Sequence, residues 1–119
     1  MKIIIEKEKL LFRYLYKFYN LDLFSSILIM VELEVIFTGK DVFHARTAAL
    51  FVQNTNRFDC DIFLNMGDKI VDAKSIMGLL ALGIKSGEKL LFKFNGRDEN
   101  EAKDKVEELF NNDILLEKN

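Results

Sequence analysis

The sequence is poor in residues that reinforce small proteins by covalent or metal links. Its 119 residues contain one cysteine, one histidine, no proline and no tryptophan. A single thiol, Cys60, excludes an internal disulfide, argues against a metal cluster and is expected to fill space at a strand edge. It fits a reducing, cytoplasmic compartment. Half of the residues are hydrophobic, so a chain of this length can bury a core without either kind of link.

Long apolar runs and a strong net charge are also missing. The longest uncharged stretch near the N-terminus, residues 23–31, has nine residues, whereas a membrane-spanning helix needs about 20. Charges at Glu6, Glu8 and Asp22 argue against a signal peptide. The net charge of −2 does not favour non-specific binding to nucleic acid. We therefore expect a cytoplasmic protein with no transmembrane span and no nucleic-acid partner.

A change of pattern near Met30 divides the chain in two. Residues 1–29 carry five basic and three acidic side chains, and the remainder carries 12 and 16. We expect an N-terminal extension of unknown role, residues 1–29, followed by one domain, residues 30–119. The extension either forms a basic amphipathic helix that touches a membrane or a partner, or is loosely packed, or packs on the domain through its aromatic residues. Met30 is also a credible start of translation.

Four segments alternate apolar and polar residues, which predicts strands with one buried face. They lie at residues 31–37, 61–65, 69–71 and 88–94. A turn at residues 65–68 joins the second and third into a hairpin, and residues 39–41 form another turn.

Three segments have helical periodicity, at residues 45–56, at residues 75–82 and from Asp98 onward. Gly83 is placed to end the second helix. Asp98 and Glu101 have the spacing of a capping box at the start of the third. Each helix has one apolar stripe, so all three should cover the same face of a single sheet. The predicted fold is α+β, a two-layer open-faced sandwich of order β-α-β-β-α-β-α, with a four-stranded sheet and three helices on one face.

The only histidine, His44, stands where a helix should begin. A helix N-terminus disfavours the imidazolium through its partial positive charge and offers unpaired backbone N–H groups to phosphate oxygens. Arg46, two residues on, can add charge-assisted hydrogen bonds to the same oxygens. This arrangement is suited to carrying a phosphoryl group on the imidazole, and it requires no metal and no cofactor. The alternative is that His44 is only a polar residue at the start of a helix.

The second candidate site is Ser75, which occupies the N-cap position of the next predicted helix. Capping alone would explain this serine. The helix it starts is too apolar for one buried stripe, however, so part of the surface formed by Ile76, Met77 and Leu80 should face solvent and dock a partner. Phosphorylation of Ser75 would add roughly −1.5 to −2 charge beside that surface.

Residues 30–110 resemble HPr, the histidine-containing phosphocarrier family of the bacterial sugar phosphotransferase system. The resemblance rests on HAR at 44–46, AALFVQ at 48–53, AKSIMG at 73–78 and LGI at 82–84. It implies the same fold and a carrier that is not an enzyme. It also implies that His44 accepts a phosphoryl group from Enzyme I and passes it to Enzyme IIA proteins, with Arg46 assisting.

The same resemblance implies that Ser75 is a regulatory serine, phosphorylated by an HPr kinase/phosphorylase. The helix with Ile76, Met77 and Leu80 would then dock Enzyme I, that kinase and a transcriptional regulator of carbon catabolite repression. The alternative is a Crh-type regulatory module, which acts through the serine alone.

Two positions depart from the family pattern. The family usually has glycine two residues before the histidine and proline three residues after it, where this chain has Val42 and Thr47. Such changes can weaken phosphate binding without abolishing the fold.

Overall fold

The computed structural model of the protein describes residues 30–39 and 43–111. Three predictions therefore fall wholly or partly outside the described residues. They concern the extension at residues 1–29, the turn at residues 39–41 and the loop position Val42.

The described residues form one sheet and three helices in the predicted order. The strands are β1 (Val31–Ile36), β2 (Asp61–Met66), β3 (Lys69–Asp72) and β4 (Lys89–Asn95). The helices are α1 (Ala45–Thr55), α2 (Ile76–Leu82) and α3 (Glu99–Asn111). All strand pairs are antiparallel, and the strand order across the sheet is β1-β4-β2-β3. The predicted open-faced sandwich is confirmed.

One hydrophobic core lies between the sheet and the helices, and the predicted alternation explains its composition. On β4, Leu90, Phe92 and Phe94 are buried, whereas Lys89 is exposed on the other face. Burying one such side chain stabilises the fold by roughly 1.5–3 kcal/mol. The helices contribute one stripe each, namely Ala48, Phe51, Val52 and Thr55 from α1, Leu79 and Leu82 from α2, and Ala102, Val106 and Leu109 from α3.

A row of aromatic rings crosses this core and ends beside the start of α1. Phe37 and Phe43 meet edge to face with their centroids 5.4 Å apart, and Phe43 meets Phe51 in the same way at 6.2 Å. Phe51 then contacts Phe92 of the central strand β4 at 5.5 Å. Edge-to-face pairs of this kind add about 0.5–1.5 kcal/mol to the effect of burial. The start of α1 is therefore fixed to the middle of the sheet.

The prediction that Gly83 ends α2 is confirmed, whereas the prediction for Asp98 is not. Gly83 follows α2 in the left-handed conformation, with φ of 62°, where glycine avoids the clash of a Cβ atom. The predicted capping box of Asp98 and Glu101 is wrong. The two carboxylate oxygens of Asp98 accept the backbone N–H groups of Asp59 and Cys60, in the loop before β2. The reciprocal bond at the start of α3 joins the Gly96 N–H to Glu99 Oε1 at 2.9 Å.

None of the helices within the described part of the chain has both the length and the apolar character to cross a bilayer.

Candidate functional site

His44 is the N-cap residue of α1 and is exposed to solvent. Its backbone is extended, with φ of −96° and ψ of −178°, and its carbonyl accepts the first helical hydrogen bond, from the Ala48 N–H at 2.9 Å. The imidazole makes no capping bond to the helix. Because the first N–H groups of a helix have no partner within it, this helix start presents an accessible ring beside backbone donors that the helix itself leaves unpaired.

The residue before His44 anchors the site. Phe43 is buried in the aromatic row, and its backbone N–H donates to the Ile84 carbonyl at 2.8 Å. Ile84 is itself buried and follows the glycine that ends α2. The side chain of Phe43 thus points into the core, while the next side chain along the chain points outward. The position of the imidazole is set by a buried neighbour and one backbone hydrogen bond.

Arg46 and Thr47, both on the first turn of α1, differ in exposure. Arg46 is exposed, as a side chain that meets a phosphoryl group must be, whereas Thr47 is buried. Thr47 stands where the family usually has proline. Its side chain packs inside the domain. The departure from proline therefore changes the buried side of the first turn of α1, and the exposed side chains of His44 and Arg46 are unaffected.

Ser75 is the N-cap of α2, as predicted. Its Oγ accepts the Gly78 N–H at 3.0 Å, and its carbonyl accepts the Leu79 N–H at 3.0 Å. A methyl group on Gly78 would lie 3.3 Å from that Oγ, tighter than most real contacts. Gly78 therefore keeps the space next to the hydroxyl open. Serine at this position stabilises the helix by about 1 kcal/mol relative to alanine.

The segment before Ser75 is tied to the end of α1. The hydroxyl of Thr55 donates to the Ala73 carbonyl at 3.1 Å, and the Ala73 N–H donates to the Ile62 carbonyl at 2.9 Å. Lys74 Nζ donates to the Phe58 carbonyl at 2.6 Å. These bonds fix the backbone on which the serine sits, because every partner belongs to α1, to β2 or to the loop between them.

The surface next to Ser75 is apolar and partly open. Met77 is 76% exposed and Ile76 is 38% exposed, as expected for a docking surface. Leu80, the third predicted member, is only half-buried and packs against the core. The exposed apolar side chains are therefore concentrated in the first turn of α2.

Sequence reasoning did not assign the anchoring roles of Phe43 and Ile84. Ile84 entered the sequence analysis only as the last residue of the LGI peptide at 82–84. An apolar residue directly before an exposed histidine is a usable signal, because a loop with a buried side chain holds its neighbours in place. The hydrogen bond from Phe43 to Ile84 could not be predicted from the sequence. Phe43 precedes α1 and Ile84 follows α2, so only the fold brings the two residues together.

Comparison with known proteins gives consistent results. The family described as "PTS HPr component phosphorylation site" matches residues 31–112. The HPr-like protein Crh of Bacillus subtilis is 46% identical over 77 residues, which cover 65% of this chain and 91% of that protein. The phosphocarrier protein HPr of Xylella fastidiosa is 37% identical over 83 residues, covering 70% and 93%. The crystal structure of HPr from Bacillus anthracis superposes with a TM-score of 0.61 and 43% identity, covering 69% of this chain and 94% of that one.

Proposed function

The chain belongs to the HPr family, and from that membership we propose that it carries a phosphoryl group on His44. The donor is phospho-Enzyme I, and the acceptors are the sugar-specific Enzyme IIA proteins of the phosphotransferase system. One observation supports this proposal above the others. The imidazole is exposed at the start of α1 and makes no bond to its own helix, so both the ring and the backbone donors are available to the same phosphoryl group.

The transfer follows from these groups. A neutral ring nitrogen of His44 attacks the phosphorus atom, a nitrogen–phosphorus bond forms and the bond to the donor breaks. The N–H groups of the first turn of α1 and the guanidinium of Arg46 donate to the phosphoryl oxygens. In the second step the acceptor attacks the same phosphorus atom and the ring of His44 leaves. The protein is then restored unchanged and acts as a carrier, with no substrate turnover of its own.

A second function is supported by the geometry at Ser75. Its hydroxyl lies at a helix start, where the helix dipole tolerates added negative charge, and the exposed Met77 is close along the chain. We propose that phosphorylation of Ser75 by an HPr kinase/phosphorylase regulates docking of Enzyme I and of a transcriptional regulator of catabolite repression. A Crh-type module that uses only this serine is the alternative to the carrier, and Crh is among the relatives of the chain.

We propose that the chain divides into an extension at residues 1–29 and an HPr-like domain at residues 30–119. We propose that both functions reside in the domain, because every candidate residue lies within the matched region. We also propose that the protein acts in the cytoplasm.

Two labelling reactions on the full chain separate the functions. Phosphoenolpyruvate with Enzyme I should give an acid-labile, base-stable label that is lost in His44→Ala and kept in Ser75→Ala. ATP with an HPr kinase should give an acid-stable label with the opposite dependence on the two variants. A label only in the second reaction would establish the Crh-type alternative, and no label in either reaction would contradict both proposals.

A further inference from the structure

The sheet has a second face, away from the helices, and its centre is more enclosed than an open face should be. The pairing register places Phe63 and Asn65 of β2 beside Leu91 and Lys93 of β4 on this outer face. All four side chains are half-buried, although the described helices cover the opposite face. We call these four residues the central outer patch.

Asn65 gives the sharpest sign of enclosure. Its side-chain oxygen Oδ1 is buried and has no hydrogen-bond partner among the residues that the structure describes. Buried polar atoms of native proteins are nearly always paired, and a carbonyl oxygen on an open sheet face would be paired by water. The edges of the face are more open at Ile36 on the edge strand β1 and at Ile70 on the edge strand β3, which are 52% and 63% exposed.

We propose that residues 1–29 of this chain lie over the central outer patch. Seventeen of these 29 residues are aliphatic or aromatic, a composition suited to packing on Phe63 and Leu91. They also directly precede β1, the edge strand next to β4. Strands lie about 4.8 Å apart, so the centre of the face is within about 10 Å of β1. A segment of 29 residues can span that distance even as a helix, at about 1.5 Å per residue.

Charge complementarity supports the same occupant. The outer face carries four carboxylates and two lysines, namely Glu32, Glu34, Asp61, Asp72, Lys89 and Lys93. Residues 1–29 carry five basic and three acidic side chains. The segment and the face therefore have net charges of opposite sign. A segment held there leaves His44 and the first turn of α2 uncovered, since both belong to the helical layer.

The tyrosines make the proposal testable in the full chain. All three, Tyr14, Tyr16 and Tyr19, lie in residues 1–29, and the protein has no tryptophan, so tyrosine fluorescence reports on the segment alone. We expect Leu91→Asp to displace the segment and to raise quenching of that fluorescence by acrylamide at least twofold. Met77→Asp is the matched control, because it places the same charge on the helical layer and should leave quenching unchanged. Equal quenching in the wild type and Leu91→Asp would overturn the proposal.

A second measurement covers the case in which Leu91→Asp fails to fold. Phe63→Cys places a thiol in the central outer patch, and its alkylation rate is compared with that of Gln53→Cys, an exposed site on α1. Replacing the six aromatic residues of the segment with serine should accelerate alkylation at position 63 at least tenfold and leave position 53 unchanged. An unchanged alkylation rate at position 63 would overturn the proposal. So would protection of that thiol from alkylation that disappears on dilution, if light scattering also gives twice the mass of one chain. The latter result would assign the patch to a second copy of the chain.

Discussion

The Asp98 carboxylate accepts the backbone N–H of Cys60 at 2.9 Å, and so joins the start of α3 to the loop before β2 across 38 positions of sequence. Its second oxygen accepts the Asp59 N–H at 2.8 Å. Burial opposes ionisation of Asp98, but these donors outweigh it and hold the pKa of the carboxyl below its usual value. Burial, followed by the hydrogen bond and charge of Asp98, raises the pKa of the Cys60 thiol to about 12. Cys60 is therefore an unreactive core residue.

Replacing Asp98 with asparagine should lower the free energy of unfolding by about 1–3 kcal/mol, because two N–H groups lose a charged acceptor. Urea denaturation at pH 7 measures this change. Asp59→Asn is the matched control. It keeps the backbone N–H and removes only the ion pair with Arg97, whose partners are both largely exposed, so it should cost about 0.5 kcal/mol or less.

The same bonds predict a pH dependence. Because folding lowers the pKa of Asp98, its contribution is present above the ordinary aspartate pKa of about 3.9 and is lost as the pH falls through the lower value in the folded state. The stability difference between the wild type and Asp98→Asn should therefore shrink on acidification below about pH 4. A difference that stays constant down to pH 2 would contradict this assignment.

Gly96 is required by a close approach to Cys60. A Cβ atom at position 96 would lie 2.6 Å from the Cα and Cβ of Cys60, and the backbone there has φ of 154°. Gly96→Ala should therefore destabilise the fold by at least about 2 kcal/mol. Gly67→Ala, where φ is also positive but nothing lies within 4 Å, should cost about 1 kcal/mol. Equal thermal midpoints for the two variants would contradict the steric argument.

Ser75→Ala should reduce stability by about 1 kcal/mol through loss of the cap on α2. Ser75→Asp should keep most of that stability, since aspartate caps well, while imitating the charge of phosphoserine. Ser86→Ala, at an exposed turn position, should change stability by less than about 0.5 kcal/mol. With stability largely preserved in Ser75→Asp, a docking defect in that variant can be attributed to its charge. Equal docking defects in Ser75→Asp and Ser75→Ala would contradict an effect of charge.

Met77→Asp should weaken docking of Enzyme I without affecting the fold. We expect kcat/KM for phosphoryl transfer from Enzyme I to fall about tenfold or more, the size of a small interface hot spot. Ile70→Asp is the matched control, because it also replaces an exposed apolar side chain with aspartate. Ile70 is 63% exposed and lies on β3, away from the helical layer. It should transfer at the wild-type rate. Equal rates for both variants would exclude the first turn of α2 as a contact.

Most of the fold could be predicted from the sequence because its information is local. The alternation on β4, the apolar stripe of α3, the serine that caps α2 and the glycine that ends it each act within a few residues. Asp98 was misassigned because its donors, Asp59 and Cys60, are distant in sequence and become neighbours only in the folded chain.

The same limit applies to the site. The sequence placed His44 and Ser75 at helix starts, since hydrophobic periodicity marks where each helix begins. It did not indicate that the Phe43 N–H donates to the Ile84 carbonyl, because that bond joins the loop before α1 to the loop after α2, which are far apart in sequence. Nor did it indicate that Leu80 would be half-buried, since one turn of α2 faces both solvent and core.

The central claim, that His44 carries a phosphoryl group, is tested most directly by NMR of the imidazole. Because the chain has a single histidine, selective ¹⁵N labelling gives ring signals with unambiguous assignment. On addition of phosphoenolpyruvate and Enzyme I, we expect one ring nitrogen to shift and to show coupling to phosphorus, and the change to reverse when an Enzyme IIA protein is added. An unchanged ring spectrum under conditions that phosphorylate another HPr would contradict the account.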